Sequence, residues 1–231
     1  MAEASSSSPS LEIPVTATLA STPPEGFTLQ HNAVSSEAWH LLEKWMNNND
    51  YSNDGIEWEE TEHNQNRPTA QFGFRYNYHR DIVEFHANDN KASNSQHDCQ
   101  TPPIPEILQR LLLDPLQNTD NNENNNSLPP GMKFTQCIIN DYKDADTVIP
   151  WHRDDMAFGD IVLVYTFLDE RPLHLRSIHN NVAYTAHPRH CSRYILRGTA
   201  REHWEHCVPA GSSRRVSFTF RTLRQNDEQG E

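Results

Sequence analysis

The hydrophobic rhythm of the chain changes along its length. In "SEAWHLLEKWMN", Trp39, Leu42, Trp45 and Met46 recur three and four positions apart behind a serine, which predicts a capped amphipathic helix with one stripe turned to the core. "QFGFRYNYH" switches to a period of two. Phe72, Phe74, Tyr76 and Tyr78 alternate with Gly73, Arg75 and Asn77, predicting a strand with one aromatic face. Such a face either packs a core or stacks a flat substrate, and Tyr76 is carried forward as a substrate candidate. "PPIPEILQRLLLDP" returns to helix, opened by prolines and ending near Pro115. Beyond Met132 short β-rich runs follow one another: "FTQCIIN", "DIVLVYTFL", "LHLRSI", "RYILR" and "RRVSFTFR". They predict a mainly β (α+β) fold, a sandwich, barrel or jelly roll, with supporting helices on its N-terminal side.

Three stretches fall outside this pattern. Residues 1–24 are rich in Ser, Thr, Pro and Ala and read as a flexible tail; 117–130 is an Asn-rich run expected to be a disordered loop; 225–231 is a polar tail. Residues 25–224 remain as one domain, consistent with a length of 231 residues. With 32 acidic against 19 basic residues, the net charge of -13 argues against a tight nonspecific grip on phosphate backbones. A local strip of Arg189, Arg193, Arg197, Arg201, Arg214 and Arg224 around a pocket mouth stays open as an expectation. Cys99, Cys137, Cys191 and Cys207 show no C-x-x-C spacing, so neither a zinc ribbon nor a disulfide framework is indicated and a reducing compartment is expected. No apolar run is long enough to span a membrane and "MAEASSSSPS" lacks the regions of a secretory signal, so the cytoplasm or nucleus is expected. A monomer is also expected.

The chemistry gathers in four short segments. In "PWHRDDMAF", an extended backbone would turn His152 and Asp154 to the same side, two ligands aimed at one point, which suggests a metal; surface charge is the alternative. A third ligand would complete a 2-His-1-carboxylate face that leaves metal positions open for oxygen and a cosubstrate. About fifty residues downstream, "EHWEHCVP" places Trp204 and His206 on one face of an extended segment and His203 and Glu205 on the other. His206 is taken as the ligand and His203 is set aside. In "RRVSFTFR", Arg215, Ser217, Thr219 and Arg221 share one face of a strand, with Val216, Phe218 and Phe220 on the other. Buried guanidiniums demand anions, either structural carboxylates or a bound dicarboxylate. "IINDY" adds Asn140 and Tyr142, whose amide and hydroxyl can fix carboxylate oxygens.

The order Asn140-x-Tyr142, His152-x-Asp154, His206 and Arg215-x-Ser217-x-Thr219-x-Arg221 resembles the AlkB family of iron(II)- and 2-oxoglutarate-dependent dioxygenases, over roughly residues 134–222. The resemblance implies a double-stranded β-helix, Fe(II) on His152, Asp154 and His206, and O2 as co-reactant. It implies 2-oxoglutarate held by Asn140, Tyr142, Arg215 and Arg221, with Ser217 and Thr219 on the same cosubstrate face and Arg215 toward the distal carboxylate. Ser217 departs from the Asn often found there, and Cys207 from a common Gly. "HRDD" is similar to the nucleic-acid repair branch, whose second aspartate helps recognise the damaged base. Asp155 is therefore a substrate-side candidate, with a plain surface acid as the alternative, and Trp204 is another such candidate. The implied activity is oxidative demethylation of N-alkylated bases in DNA or RNA. The same chemistry on a protein side chain, and a non-catalytic jelly-roll binding module, are the rival expectations.

Overall fold

A computed structural model describes residues 11–47, 56–60, 67–80, 82–84, 101–117, 128–129 and 131–224. Most of the Asn-rich run, and the segments 1–10 and 225–231, lie outside the described residues.

Two β-sheets face each other. The larger runs in the order β2 (Phe27–Gln30), β11 (Ser192–Arg197), β8 (Phe158–Leu168), β13 (Arg215–Leu223), β6 (Gln136–Tyr142) and β3 (Thr69–Gly73). The smaller runs β1 (Thr18–Leu19), β10 (Val182–Ala186), β9 (Leu173–Ser177), β12 (Trp204–Val208) and β7 (Ile149–His152). A hairpin of β4 (Arg75–Asn77) and β5 (Ile82–Glu84) stands beside them. The result is the jelly-roll core that the short β-rich runs predict.

The pleat sorts side chains into two cores. On one side of the larger sheet, Leu163, Tyr165, Phe167, Val216, Phe218 and Phe220 pack with Trp39, Leu42 and Met46 of helix α1 (Ser36–Asn47) and with Leu108, Leu112 and Leu113. On the other side, Tyr142, Val162, Val164 and Tyr194 meet Leu173, Leu175 and Val208 of the smaller sheet. The second core is the interior of the jelly roll, and the polar residues of β13 open into it.

Helix α1 forms where the 3.6-residue period predicts it. Ser35, one residue earlier, caps it by accepting the Ala38 amide at 3.2 Å. The helix expected near Pro115 runs on through it to 117, in the pieces Glu106–Leu108, Gln109–Leu113 and Asp114–Gln117. The middle piece carries wider i→i+5 pairing, which closes just before the proline that has no amide to donate.

Two expectations need correction. The aromatic alternation of "QFGFRYNYH" does not form one strand with one face, because Gly73 sits at φ 77° and separates β3 from β4. Phe72 consequently enters the helix-side core, whereas Tyr76 stands over Phe158, ring centroids 5.9 Å apart. Residues 11–24, expected as part of a flexible tail, are instead hydrogen-bonded along the smaller sheet. β1 pairs in parallel with β10, the Asn181 amide donates to the Thr16 carbonyl, and Cys207 Sγ approaches the Leu11 carbonyl at 3.4 Å. Backbone pairing, which composition does not register, holds this segment.

Candidate metal and cosubstrate site

His152 ends β7 and His206 lies directly opposite it in β12, the two paired across the strands with ring centroids 4.2 Å apart. Asp154 follows just beyond the end of β7, so the turn after the strand, rather than strand alternation, brings its carboxylate to the histidines. Its Oδ2 lies 3.8 Å from His206 Nε2. The three predicted ligands are thus neighbours, without being arranged around a metal ion. Among the described residues no three His, Cys, Asp or Glu side chains are closed around a single point. Arg221 holds the other oxygen of Asp154, with Nε 2.7 Å from Oδ1, while Oδ2 is buried without a hydrogen-bond partner.

Electrostatics puts these groups in the protonation states that a divalent cation needs. Burial works to raise the Asp154 pKa. It is outweighed by Arg221, then His206, His152 and Arg201, so the carboxyl lies well below the usual carboxylate range. Burial pushes the His206 pKa down to about 3, helped by neighbouring His152, and burial likewise lowers that of His152. His152 Nδ1 is 2.9 Å from the Pro150 carbonyl, which can only accept, so Nδ1 carries the proton and Nε2 keeps its lone pair.

His203 goes elsewhere. It closes the short helix Gly198–Glu202 rather than extending β12, and its Nδ1 meets His179 Nε2 at 3.2 Å on the surface. Two residues separate it from His206, and the change from helix to strand between them turns the rings apart.

Deeper in the interior, β13 and β6 face their polar sides inward in register: Arg215 opposite Tyr142, Ser217 opposite Asn140 and Arg221 opposite Gln136. Thr219 lies on the same face as the other three β13 residues. Arg215 is 1% exposed, with its guanidinium 4.7 Å from the Tyr142 ring centroid, and its Nε and Nη1 have no hydrogen-bond partner. Arg221, expected on the cosubstrate, is engaged by Asp154 and by Gln136 Oε1 at 3.1 Å, and its guanidinium carries five N–H donors.

Sequence reasoning missed three residues here. Arg171, fully buried, approaches the Tyr142 ring at 5.2 Å and donates to the carbonyls of Asp144, Thr147 and Ser213. Burial, then the neighbouring Arg215, lowers its pKa; its Nε lies 3.6 Å from Asp169, beyond hydrogen-bond reach. Tyr194 of β11 brings its hydroxyl to Arg215. Arg67, 4% exposed, donates to Asn140. Of these, the strand run "RYILR" contained a signal for Tyr194, which shares the alternating face of Leu196.

The substrate-side candidates scatter. Tyr76 borders the site through Phe158, on which the Arg221 guanidinium also rests at 4.9 Å. The Asp155 side chain accepts from the Ala157 amide at 2.7 Å and so shapes the turn behind the ligand loop. Trp204 is half-buried against the interior core. The expected arginine strip does not form. Arg193 and Arg201 are buried, Arg201 donating to the carbonyls of Asp154 and Asp155, while Arg189, Arg214 and Arg224 pair with Glu170, Asp141 and Asp160. Three of these charges are thus matched by carboxylates at the surface, and two lie inside.

Buried donors of Arg215 and one buried acceptor of Asp154 thus lack partners on facing sheets. The family model of the 2OG-Fe(II) oxygenase superfamily matches residues 26–221. The chain is 28% identical over 167 residues to a protein of Arabidopsis thaliana named RNA demethylase ALKBH9B, a match covering 69% of this chain and 30% of that relative's length. The fold is similar to that of OsALKBH1, with TM-score 0.58 and 14% identity, covering 85% of this chain and 96% of that structure. The chain therefore belongs to the 2OG-Fe(II) oxygenase superfamily.

Proposed function

We propose that the protein is an iron- and 2-oxoglutarate-dependent demethylase of N-alkylated nucleobases, with Fe(II) held by His152, Asp154 and His206. The observation that carries the reading is a set of unsatisfied buried polar atoms: Asp154 Oδ2 beside two neutral imidazoles, and Arg215 Nε and Nη1 on the inward face of β13. Leaving a buried guanidinium donor or carboxylate oxygen unpaired costs on the order of 1–3 kcal/mol or more. A cation and a dicarboxylate would satisfy both.

The iron supplies oxidation of a carbon–hydrogen bond by O2, coupled to decarboxylation of 2-oxoglutarate. Arg215, Tyr142, Asn140, Ser217 and Thr219 bind and orient the acid, the first through its unpartnered Nε and Nη1. Arg221 fixes Asp154 by a charge-assisted bond, so that Oδ2 stays available. Arg201 braces the ligand loop through the Asp154 and Asp155 carbonyls. Hydroxylation of an N-methyl carbon yields a hemiaminal that releases formaldehyde.

The nucleobase reading is supported by the AlkB likeness and by the name of the Arabidopsis relative, which favours RNA. With the arginines internally paired and a net charge of -13, recognition of the base rather than a broad grip on phosphates fits the surface. Tyr76 and Asp155 are the base-side candidates. The test offers the protein, with iron, 2-oxoglutarate and ascorbate, a panel of methylated RNA and DNA oligonucleotides alongside methylated peptides. Formaldehyde and loss of methyl mass from an oligonucleotide are expected. Turnover confined to peptides would move the substrate to protein, and iron-dependent succinate release with none of them would leave the nucleobase assignment without support.

A further inference from the structure

Arg67 touches both members of the Asn140/Tyr142 pair without lying on their strand. It precedes β3, is 4% exposed, and donates from Nε to Asn140 Oδ1 at 3.0 Å. Its Nη1 donates to the Val148 carbonyl at 2.8 Å, and its guanidinium carbon is 5.7 Å from the Tyr142 ring centroid. Val148 immediately precedes β7, the strand that ends in His152. One side chain thereby ties the cosubstrate strand of the larger sheet to the ligand strand of the smaller.

The chemistry of the contact decides an orientation. A guanidinium has donors only, so Asn140 must give it the amide oxygen, and the NH2 group is what remains to serve the interior, where Ser217 is the cross-strand neighbour. An ionised carboxylate accepts only. Asn140 can hold one through its NH2 group, whereas the flipped amide would set oxygen lone pairs against it. We propose that Arg67 is a positioning residue for 2-oxoglutarate: it locks the Asn140 carboxamide in the donor-inward orientation. The inference rests on the cosubstrate site proposed above.

The test is calorimetric titration of 2-oxoglutarate into protein loaded with Mn(II) instead of iron, which reads binding without turnover. Arg67→Ala and Asn140→Ala are each expected to weaken affinity about tenfold, the scale of one lost hydrogen bond to a charged group. The double variant should be no weaker than Asn140→Ala alone, because Arg67 acts through the amide. Asn140→Asp gives a second reading: its carboxylate pairs with Arg67 and has no donor left, so the variant should keep its melting temperature and still bind 2-oxoglutarate poorly. Additive losses in the double variant, wild-type affinity in Arg67→Ala, or wild-type affinity in Asn140→Asp would overturn the inference. Arg215→Ala separates the two levels. If it binds 2-oxoglutarate like wild type, the cosubstrate site itself is wrongly placed; if it alone loses affinity, only the role of Arg67 falls.

Discussion

On the helix side of the larger sheet, Val216, Phe218 and Phe220 lie among Leu163, Tyr165 and Phe167, all buried and all apolar but for one hydroxyl, which donates to the Leu112 carbonyl. On the opposite side of the same β13 backbone, Arg215, Ser217 and Thr219 are just as buried, yet polar and only partly satisfied. The two faces have the same depth and opposite chemistry. A strand slip of one residue would exchange them, placing guanidiniums in the helix-side core and phenylalanines at the cosubstrate site. Register is consequently strongly specified, and the face that stabilises the molecule is separate from the face that works.

The largest expected effect falls on the smaller sheet, which the working face looks toward. His206→Ala should reduce iron-dependent succinate release to background, whereas His203→Ala, altering a surface ring, should leave it nearly unchanged; the reverse outcome would reassign the ligand. On the stabilising face, Phe218→Ala should cost about 3–5 kcal/mol in denaturant unfolding, because the cavity opens in a close-packed core. Arg215→Ala, three positions away on the other face, should change 2-oxoglutarate affinity by ten- to a hundredfold, about 1.4–3 kcal/mol. Its melting temperature should fall far less than that of Phe218→Ala. Comparable melting losses in the two would erase the division between faces.

The smallest effect concerns acid. The folded-state pKa of His206 lies at about 3, below its unfolded value, so the unfolded chain takes up the proton first. Stability of the metal-free protein is then full above about pH 6.5 and declines toward about pH 3, with this one group contributing on the order of 1 kcal/mol between pH 7 and 5.5. His152 and Asp154, both lowered, act in the same direction, Asp154 at lower pH. In denaturation of the apo protein across this range, His206→Ala should flatten the slope.

Much of this division was visible in the sequence, since a period of two along "RRVSFTFR" separates the faces without any knowledge of partners. The same holds for α1, whose stripe is a local pattern. What was hidden depends on contacts far apart in the chain. Arg67 reaches Asn140 across 73 positions and Arg201 reaches Asp154 across 47, and nothing in the tripeptides around them marks either as interior. The arginine strip failed for the same reason: Asp141, Asp160 and Glu170 come from other strands and loops. The aromatic run failed through one glycine whose positive φ no alternation rule anticipates.

The parallel pairing of β1 with β10 bears on how the chain can be shortened. β10 would otherwise present its outer row of amides and carbonyls to solvent, an invitation to strands of other molecules. Removing the residues before Phe27, β1 among them, would uncover that row and favour self-association.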